Sequence, residues 1–395
     1  MKRLKLSFFI IGMILLLASC GKEEDKTAND ENLTEQQEEV SGNESEREEE
    51  QSVAVEEEQK EELQIKPGEV MFLNIPSPSL ENSMVAPMKE QEIAVYVPVG
   101  YDTEGKEYPV LYFLPGFDDG VNIYIHMFSK IIDQVDINDM IIVVVNGKNL
   151  YDGSFYANSP VTGNWEDYVA QDVVTYMDEN FKTIKSSDGR GIAGHSMGGT
   201  GALNIVLHTK DIFGNVYAMS PGLFDADGLK ECDVDFSVLE EKLNEYENLT
   251  EEEALTAIQK ENFSWPVNFS IGYASAFAYN EDTKSPYIDI PQKDENGEYM
   301  QDETWNRYES GFGNLEEKLD EYGDNLKSLN HLCIDYGTTD KYQWIPKGCE
   351  YFSELLEERE IPHELVPFEG GHSNMTVTRA QEVVIPFFSE AFGQK

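Results

Sequence analysis

A serine hydroxyl attacks a carbonyl only when a base takes its proton, and the base needs an acid to fix its tautomer and balance its charge. This sequence supplies all three in order. Ser196 lies in Gly194-His195-Ser196-Met197-Gly198, the G-x-S-x-G spacing of a strained strand-to-helix turn that lifts a hydroxyl above a sheet. Gly194 and Gly198 spare so sharp a turn the Cβ atoms that would strike neighbouring backbone. The pentapeptide alone is weak, because three fixed positions recur by chance in roughly one chain in eight of this length. Asp340 closes Asp335-Tyr-Gly-Thr-Thr-Asp340, and His372 lies in Phe368-Glu-Gly-Gly-His-Ser373. Each follows an expected strand, where loops at the carboxyl edge of a parallel sheet face a site. Asp335 is the rival acid, but inside a buried strand it reads as a structural carboxylate. Of the six histidines, only His372 sits in a glycine-rich loop after the acid. His195 reads as packing the elbow or touching substrate rather than reacting.

Acyl transfer also needs donors for the developing oxyanion. The backbone N–H of Met197, directly after the serine, is one candidate. The other is the N–H of Phe117 in the loop Pro115-Gly-Phe-Asp-Asp-Gly120, where Gly116 permits close approach. No cluster has metal-ligand spacing and no cofactor loop is visible, so neither metal nor cofactor is expected.

The elements that must hold these residues are legible as alternating patterns. Ile93 to Pro98 alternates like a strand, while Pro109 to Leu114 and Met140 to Val145 read as strands buried on both faces. Trp165, Val169, Val173, Met177 and Phe181 recur at helical spacing. Arg190 to Ala193 and Asn215 to Met219 bracket the elbow and its helix, Thr200 to Thr209. After an interval come the strand His331 to Tyr336, the helix Tyr351 to Glu358, the strand His363 to Val366 and the terminal segment Ala380 to Phe392. Strands alternating with helices predict an α/β domain with a mostly parallel sheet flanked by helices. The order Ser, Asp, His is that of an α/β-hydrolase. Residues 221–330 interrupt the pattern, acidic and aromatic-rich, with one helix-like run from Leu249 to Asn262. They predict an insertion, or cap, over the serine.

Composition is uneven along the 395 residues. Lys2, Arg3 and Lys5, the apolar run Phe8 to Ala18 and Leu17-Ala18-Ser19-Cys20 read as a secretory signal over 1–20, too short to span a bilayer. The small residues before Cys20 resemble the lipobox of bacterial lipoproteins, which implies lipidation at Cys20 and anchoring on the outer face of the membrane. Residues 21–66 are dominated by Glu with scarcely any apolar side chains. They predict a disordered acidic tether, with 67–395 as the folded domain. The formal charge of −47 disfavours nucleic acid as a partner. Cys232, Cys333 and Cys349 rule out a disulfide framework but leave a Cys232–Cys349 pair open.

Four segments, Tyr108 to Gly116, Ala193 to Ala202, Asp335 to Asp340 and Gly370 to His372, together resemble an esterase family. The family groups feruloyl esterases, enterochelin esterases, S-formylglutathione hydrolases and mycolyltransferases on an α/β-hydrolase fold. The similarity runs from about Leu80 to Phe392. It implies Ser196 as nucleophile, His372 as base and Asp340 as its partner. Gly153 to Glu166 resembles the family segment beside the active site, which places Tyr156, Asn158 and Trp165 near the pocket, with plain packing at the start of the helix as the other reading of Trp165. Pro115 departs from the histidine many members carry there. The resemblance implies a serine carboxylic-ester hydrolase working through an acyl-enzyme, on acetyl or feruloyl esters of polysaccharides given export. The alternatives are an acyltransferase or siderophore esterase of the same family, or a non-catalytic carbohydrate-binding protein on a hydrolase scaffold.

Overall fold

The computed structural model describes residues 63–132, 138–261 and 264–393. Residues 1–20, expected from the sequence to be a signal, with Cys20 and the acidic stretch up to residue 62, lie outside the described residues. Eight strands form one sheet: β1 Val70–Pro76, β2 Glu90–Tyr96, β3 Val110–Leu114, β4 Ile141–Val145, β5 Arg190–His195, β6 Asn215–Met219, β7 His331–Gly337 and β8 Glu364–Phe368. Their spatial order is β1-β2-β4-β3-β5-β6-β7-β8. β1 pairs antiparallel with β2 and β2 antiparallel with β4, while every pairing from β4 to β8 is parallel.

The period of two in the strands divides their side chains between two cores. Val95, Val110, Tyr112, Val143, Ile192 and Val216 face one side. Their neighbours Ala94, Leu111, Phe113, Val144, Ala193 and Tyr217 face the other. With both faces covered, β3 and β4 are apolar throughout, and each fully buried aliphatic contributes about 1.5–3 kcal/mol. The second face is covered by α1 (Val121–Ile132), through Tyr124, Ile125 and Phe128, and by the C-terminal helix Ile385–Gly393, through Ile385 and Phe388. On the first face lie α2 (Trp165–Asp167), which runs through a π-helical turn at Tyr168–Val173 into α3 (Val174–Asn180), and α4 (Met197–His208).

Between β6 and β7 the described chain is helical: α5 Gly228–Glu231, α6 Phe236–Tyr246, α7 Glu251–Lys260, α8 Trp265–Phe277, α9 Glu303–Phe312 and α10 Leu315–Lys327. Phe155, from the body, seats its ring 5.2–5.9 Å from those of Phe117, Phe269, Tyr273, Phe277 and Phe312. That aromatic nest fixes α8 and α9 over the carboxyl ends of the strands. After β7 comes α11, Trp344–Glu358, and after β8 comes α12, Thr376–Arg379. Cys232, Cys333 and Cys349 are all free thiols, so the pairing left open between Cys232 and Cys349 is not made. Among the described residues no helix is long and apolar enough to cross a membrane.

Candidate active site

Ser196 sits between the last residue of β5 and the first of α4, with φ of 56° and ψ of −118°. A non-glycine residue held there is strained, and the surroundings must over-determine it. They do so through the glycines on either side. A Cβ on Gly194 would strike the backbone of Gly198, and one on Gly198 would strike the carbonyl of Leu114 at the end of β3. Neither obstacle is a flexible side chain. Gly198→Ala is therefore expected to destabilise the protein by about 3 kcal/mol and to displace the serine, read as a lower urea midpoint together with lost ester turnover.

The elbow brings the hydroxyl to the two loops that follow β7 and β8. His372 Nε2 lies 2.8 Å from Ser196 Oγ, and His372 Nδ1 lies 2.7 Å from Asp340 Oδ2. The acid is fully buried. Its other oxygen accepts the backbone N–H of Tyr342 at 2.9 Å, so both lone-pair faces are engaged and the carboxylate cannot swing away. The ring of Tyr342 stands edge-on to the imidazole at 4.9 Å and 89°. With the Asp340 carboxylate as the acceptor at Nδ1, the hydrogen on that nitrogen points at it and Nε2 is left free to take a proton from Oγ. Such an arrangement can make a serine nucleophilic, and the three residues expected from the sequence meet here.

Asp335, the rival acid, lies elsewhere. Buried in β7, it receives Arg379 Nε at 3.0 Å and Nη2 at 2.9 Å, Tyr217 Oη at 3.0 Å and the Ser220 N–H at 3.1 Å. It is a structural carboxylate with a full set of donors, and its partner Arg379 had no visible signal in the sequence.

A cavity of about 190 Å³ opens at Ser196. Met197 and Phe117 line it, as their expected oxyanion role requires. Met197 is the first residue of α4, a position whose N–H has no acceptor within the helix. Phe117, Trp265, Phe269, Phe312, Tyr342 and Trp344 contribute aromatic rings to the cavity wall, with Asp119, Asp233 and Lys341 as charged groups beside His195 and His372. Burial raises the Asp233 carboxyl above its usual range, an effect opposed by Lys341 and His372. Lys341 and Tyr342 follow Asp340 directly, so their place in the site could have been inferred. Trp265, Phe269 and Phe312 come from the insertion, and nothing in its pattern points to the serine.

Of the tentative substrate contacts, His195 lines the cavity and the other three do not. Tyr156 is fully buried beneath the oxyanion loop, its hydroxyl 3.2 Å from the carbonyl of Pro115. It fits there because Gly147 and Gly201 leave room for its ring. Asn158 accepts the N–H groups of Glu166 and Asp167 at 3.0 and 3.2 Å, so its amide satisfies the start of α2. Trp165 is wholly in the core, its indole N–H bonded to the carbonyl of Thr162 at 2.8 Å. An aromatic or amide beside an active-site loop was more useful to the scaffold than to the ligand.

The sheet order and the elbow are those of an α/β-hydrolase scaffold, and the relay of hydrogen bonds presents a serine beside a histidine and an acid. The family model described as "Putative esterase" matches residues 85–323, more than half of the chain, and the protein belongs to that family. The match includes Ser196 and ends before Asp340 and His372. Two proteins of Mycobacterium tuberculosis, Esterase MT1326 and Esterase Rv1288, are each 34% identical over 116 residues, 28% of this chain and 25% of theirs. The chain thus spans about a quarter of the length of the curated relatives it matches. A ferulic acid esterase shares the fold with a TM-score of 0.54 at 19% identity, over 82% of this chain and 98% of that one. FphF, a fluorophosphonate-binding serine hydrolase of Staphylococcus aureus, does so with 0.51 at 17%, over 83% and 100%.

Proposed function

We propose that this esterase is tethered at the cell surface and removes aromatic acyl groups of the feruloyl type from polysaccharides. In this mechanism Ser196 Oγ attacks the ester carbonyl as His372 takes its proton, and the N–H groups of Phe117 and Met197 receive the negative charge that develops on the carbonyl oxygen. His372 then gives the proton to the departing alcohol. Water, activated by the same imidazole, clears the acyl group from Ser196. Asp340 keeps the imidazole in the productive tautomer throughout.

The observation that carries this reading is the continuous contact from Asp340 through His372 to Ser196, 2.7 and 2.8 Å, opening into an aromatic-walled cavity. An acetyl group would leave that cavity largely unfilled, whereas a planar aryl acyl group gains edge and face contacts with Phe117, Phe269 and Trp265. The ferulic acid esterase whose fold this chain shares is consistent with the choice. The tether rests on the sequence alone, on the small residues before Cys20 and the Glu-rich stretch after it.

The test of the acyl group is a comparison of methyl ferulate with methyl acetate as substrates. A kcat/KM at least about tenfold higher for the ferulate is expected, equivalent to about 1.4 kcal/mol of added transition-state binding. Turnover of acetyl esters alone would remove the aromatic reading. The test of the tether is fractionation of cells making the full chain: the protein should stay with the membrane, and Cys20→Ser should free it or leave its signal uncleaved. Wild-type protein found only in the medium would contradict it.

A further inference from the structure

We propose that His195 is a positioning residue for the reaction, a hydrogen-bonded strut that sets the main chain of His372 at the height where its imidazole meets Ser196. The inference rests on His372 being the base. His195 Nε2 lies 2.9 Å from the carbonyl oxygen of His372, while its Nδ1 lies 3.2 Å from Tyr124 Oη. Tyr124 in turn reaches Asp119 Oδ2 at 2.8 Å. The chain therefore runs from the oxyanion loop (Asp119) through α1 (Tyr124) and the end of β5 (His195) to the loop that carries the base. His195 and Tyr124 are both buried.

The loop needs such support. Gly370 and Gly371 precede His372, and glycine leaves a backbone free to wander. Neighbouring bonds hold Gly370 and Gly371, through the Thr339 N–H at 2.9 Å and Asn374 Oδ1 at 2.9 Å. The carbonyl of His372 itself is engaged by His195.

The hydrogens can be assigned from the acceptors. A carbonyl only accepts, so Nε2 of His195 carries the hydrogen and Nδ1 is an acceptor facing Tyr124. Tyr124 has one hydrogen and two takers, Nδ1 and Asp119. Tyr124 donates to Asp119 Oδ2, the nearer of the two at 2.8 Å, and stands 3.2 Å from Nδ1. Burial raises the Asp119 carboxyl, opposed first by the hydrogen bond it accepts from Tyr124 and then by Lys148 and His372, with Asp118 adding to the shift. At the other end, burial and the nearby His372 push His195 down to about 4, with Asp340 opposing, which keeps its imidazole neutral.

The test uses the full-length protein with active sites counted by fluorophosphonate titration, so that kcat is expressed per competent site and loss of fold is separated from loss of rate. His195→Gln keeps a donor near the position of Nε2 and should hold kcat within about fivefold of wild type. His195→Phe keeps the ring but has no donor, and should lower kcat about 10²-fold with KM nearly unchanged, the size expected of a small misplacement of the base. Tyr124→Phe removes only the middle hydroxyl and should cost about tenfold. A His195→Phe enzyme within about threefold of wild type, or a His195→Gln enzyme as slow as His195→Phe, would overturn the strut. Should His195→Phe not fold, an unchanged kcat in Tyr124→Phe overturns it equally. Failure of the underlying reading looks different, since His372→Ala would then retain wild-type turnover whatever stands at 195.

Discussion

Ser196→Ala is expected to lower kcat for any ester the protein hydrolyses by about 10⁶-fold while leaving the fold intact. The size follows from what the residue does, since without the hydroxyl no acyl-enzyme forms and only substrate binding and the oxyanion donors remain to assist direct attack by water. The fold should survive because the strain at Ser196 belongs to the backbone, with φ of 56°, and alanine loses only an oxygen that bonds His372. Ester kinetics with matched circular dichroism and urea midpoints provide the check. A loss of less than about tenfold would mean that another residue carries the chemistry.

The second large effect separates two aspartates only five residues apart. Asp340→Asn should reduce kcat about 10⁴-fold, because an amide that donates its N–H toward Nδ1 favours the tautomer with the hydrogen on Nε2, and that nitrogen can then no longer take a proton from Ser196. Stability should change little, since the Tyr342 N–H retains an acceptor in the amide oxygen. Asp335→Asn should do the reverse. It strips the charge from a buried pair with Arg379 and should destabilise the protein by about 3–5 kcal/mol, with kcat per titrated site close to wild type. Kinetics and denaturation on the two variants side by side should show opposite patterns.

The two aspartates also show how far the sequence could be read. Placing Asp335 inside an apolar strand and Asp340 just beyond it was enough to assign structural and functional parts, because a carboxylate within a doubly covered strand must be internally paired. The strands around the elbow were legible for the same reason, as near-continuous β-branched runs such as Ile141–Val145 occur only where both faces are buried. β1 escaped notice: Val70–Pro76 is an edge strand, partly exposed, in which Phe72 faces solvent and Asn74 and Pro76 blur the alternation.

The insertion was recognised as an interruption but not as a set of helices. In α8 every residue from Asn268 to Ala276 is buried, so this stretch has no solvent-facing polar side and hence no period of 3.6 to find. That is also why the cavity's aromatic wall went unseen. Trp265 and Phe269 are far from Ser196 in the chain and reach it only through the packing of Phe155 among the insertion's rings. Tyr156, Asn158 and Trp165 were placed near the pocket by likeness of sequence, yet their polar atoms are spent on the carbonyls of Pro115 and Thr162 and on the N–H groups that open α2.

We propose that one serine, made reactive by His372 and Asp340, performs the chemistry of this protein. The most direct measurement is the site of covalent modification by a fluorophosphonate, mapped by peptide mass spectrometry on the wild-type, Ser196→Ala and His372→Ala proteins. Stoichiometric labelling of the peptide containing Ser196 is expected, with no label after Ser196→Ala and labelling slowed by orders of magnitude after His372→Ala. Label on a different serine, or undiminished labelling without the imidazole, would contradict it.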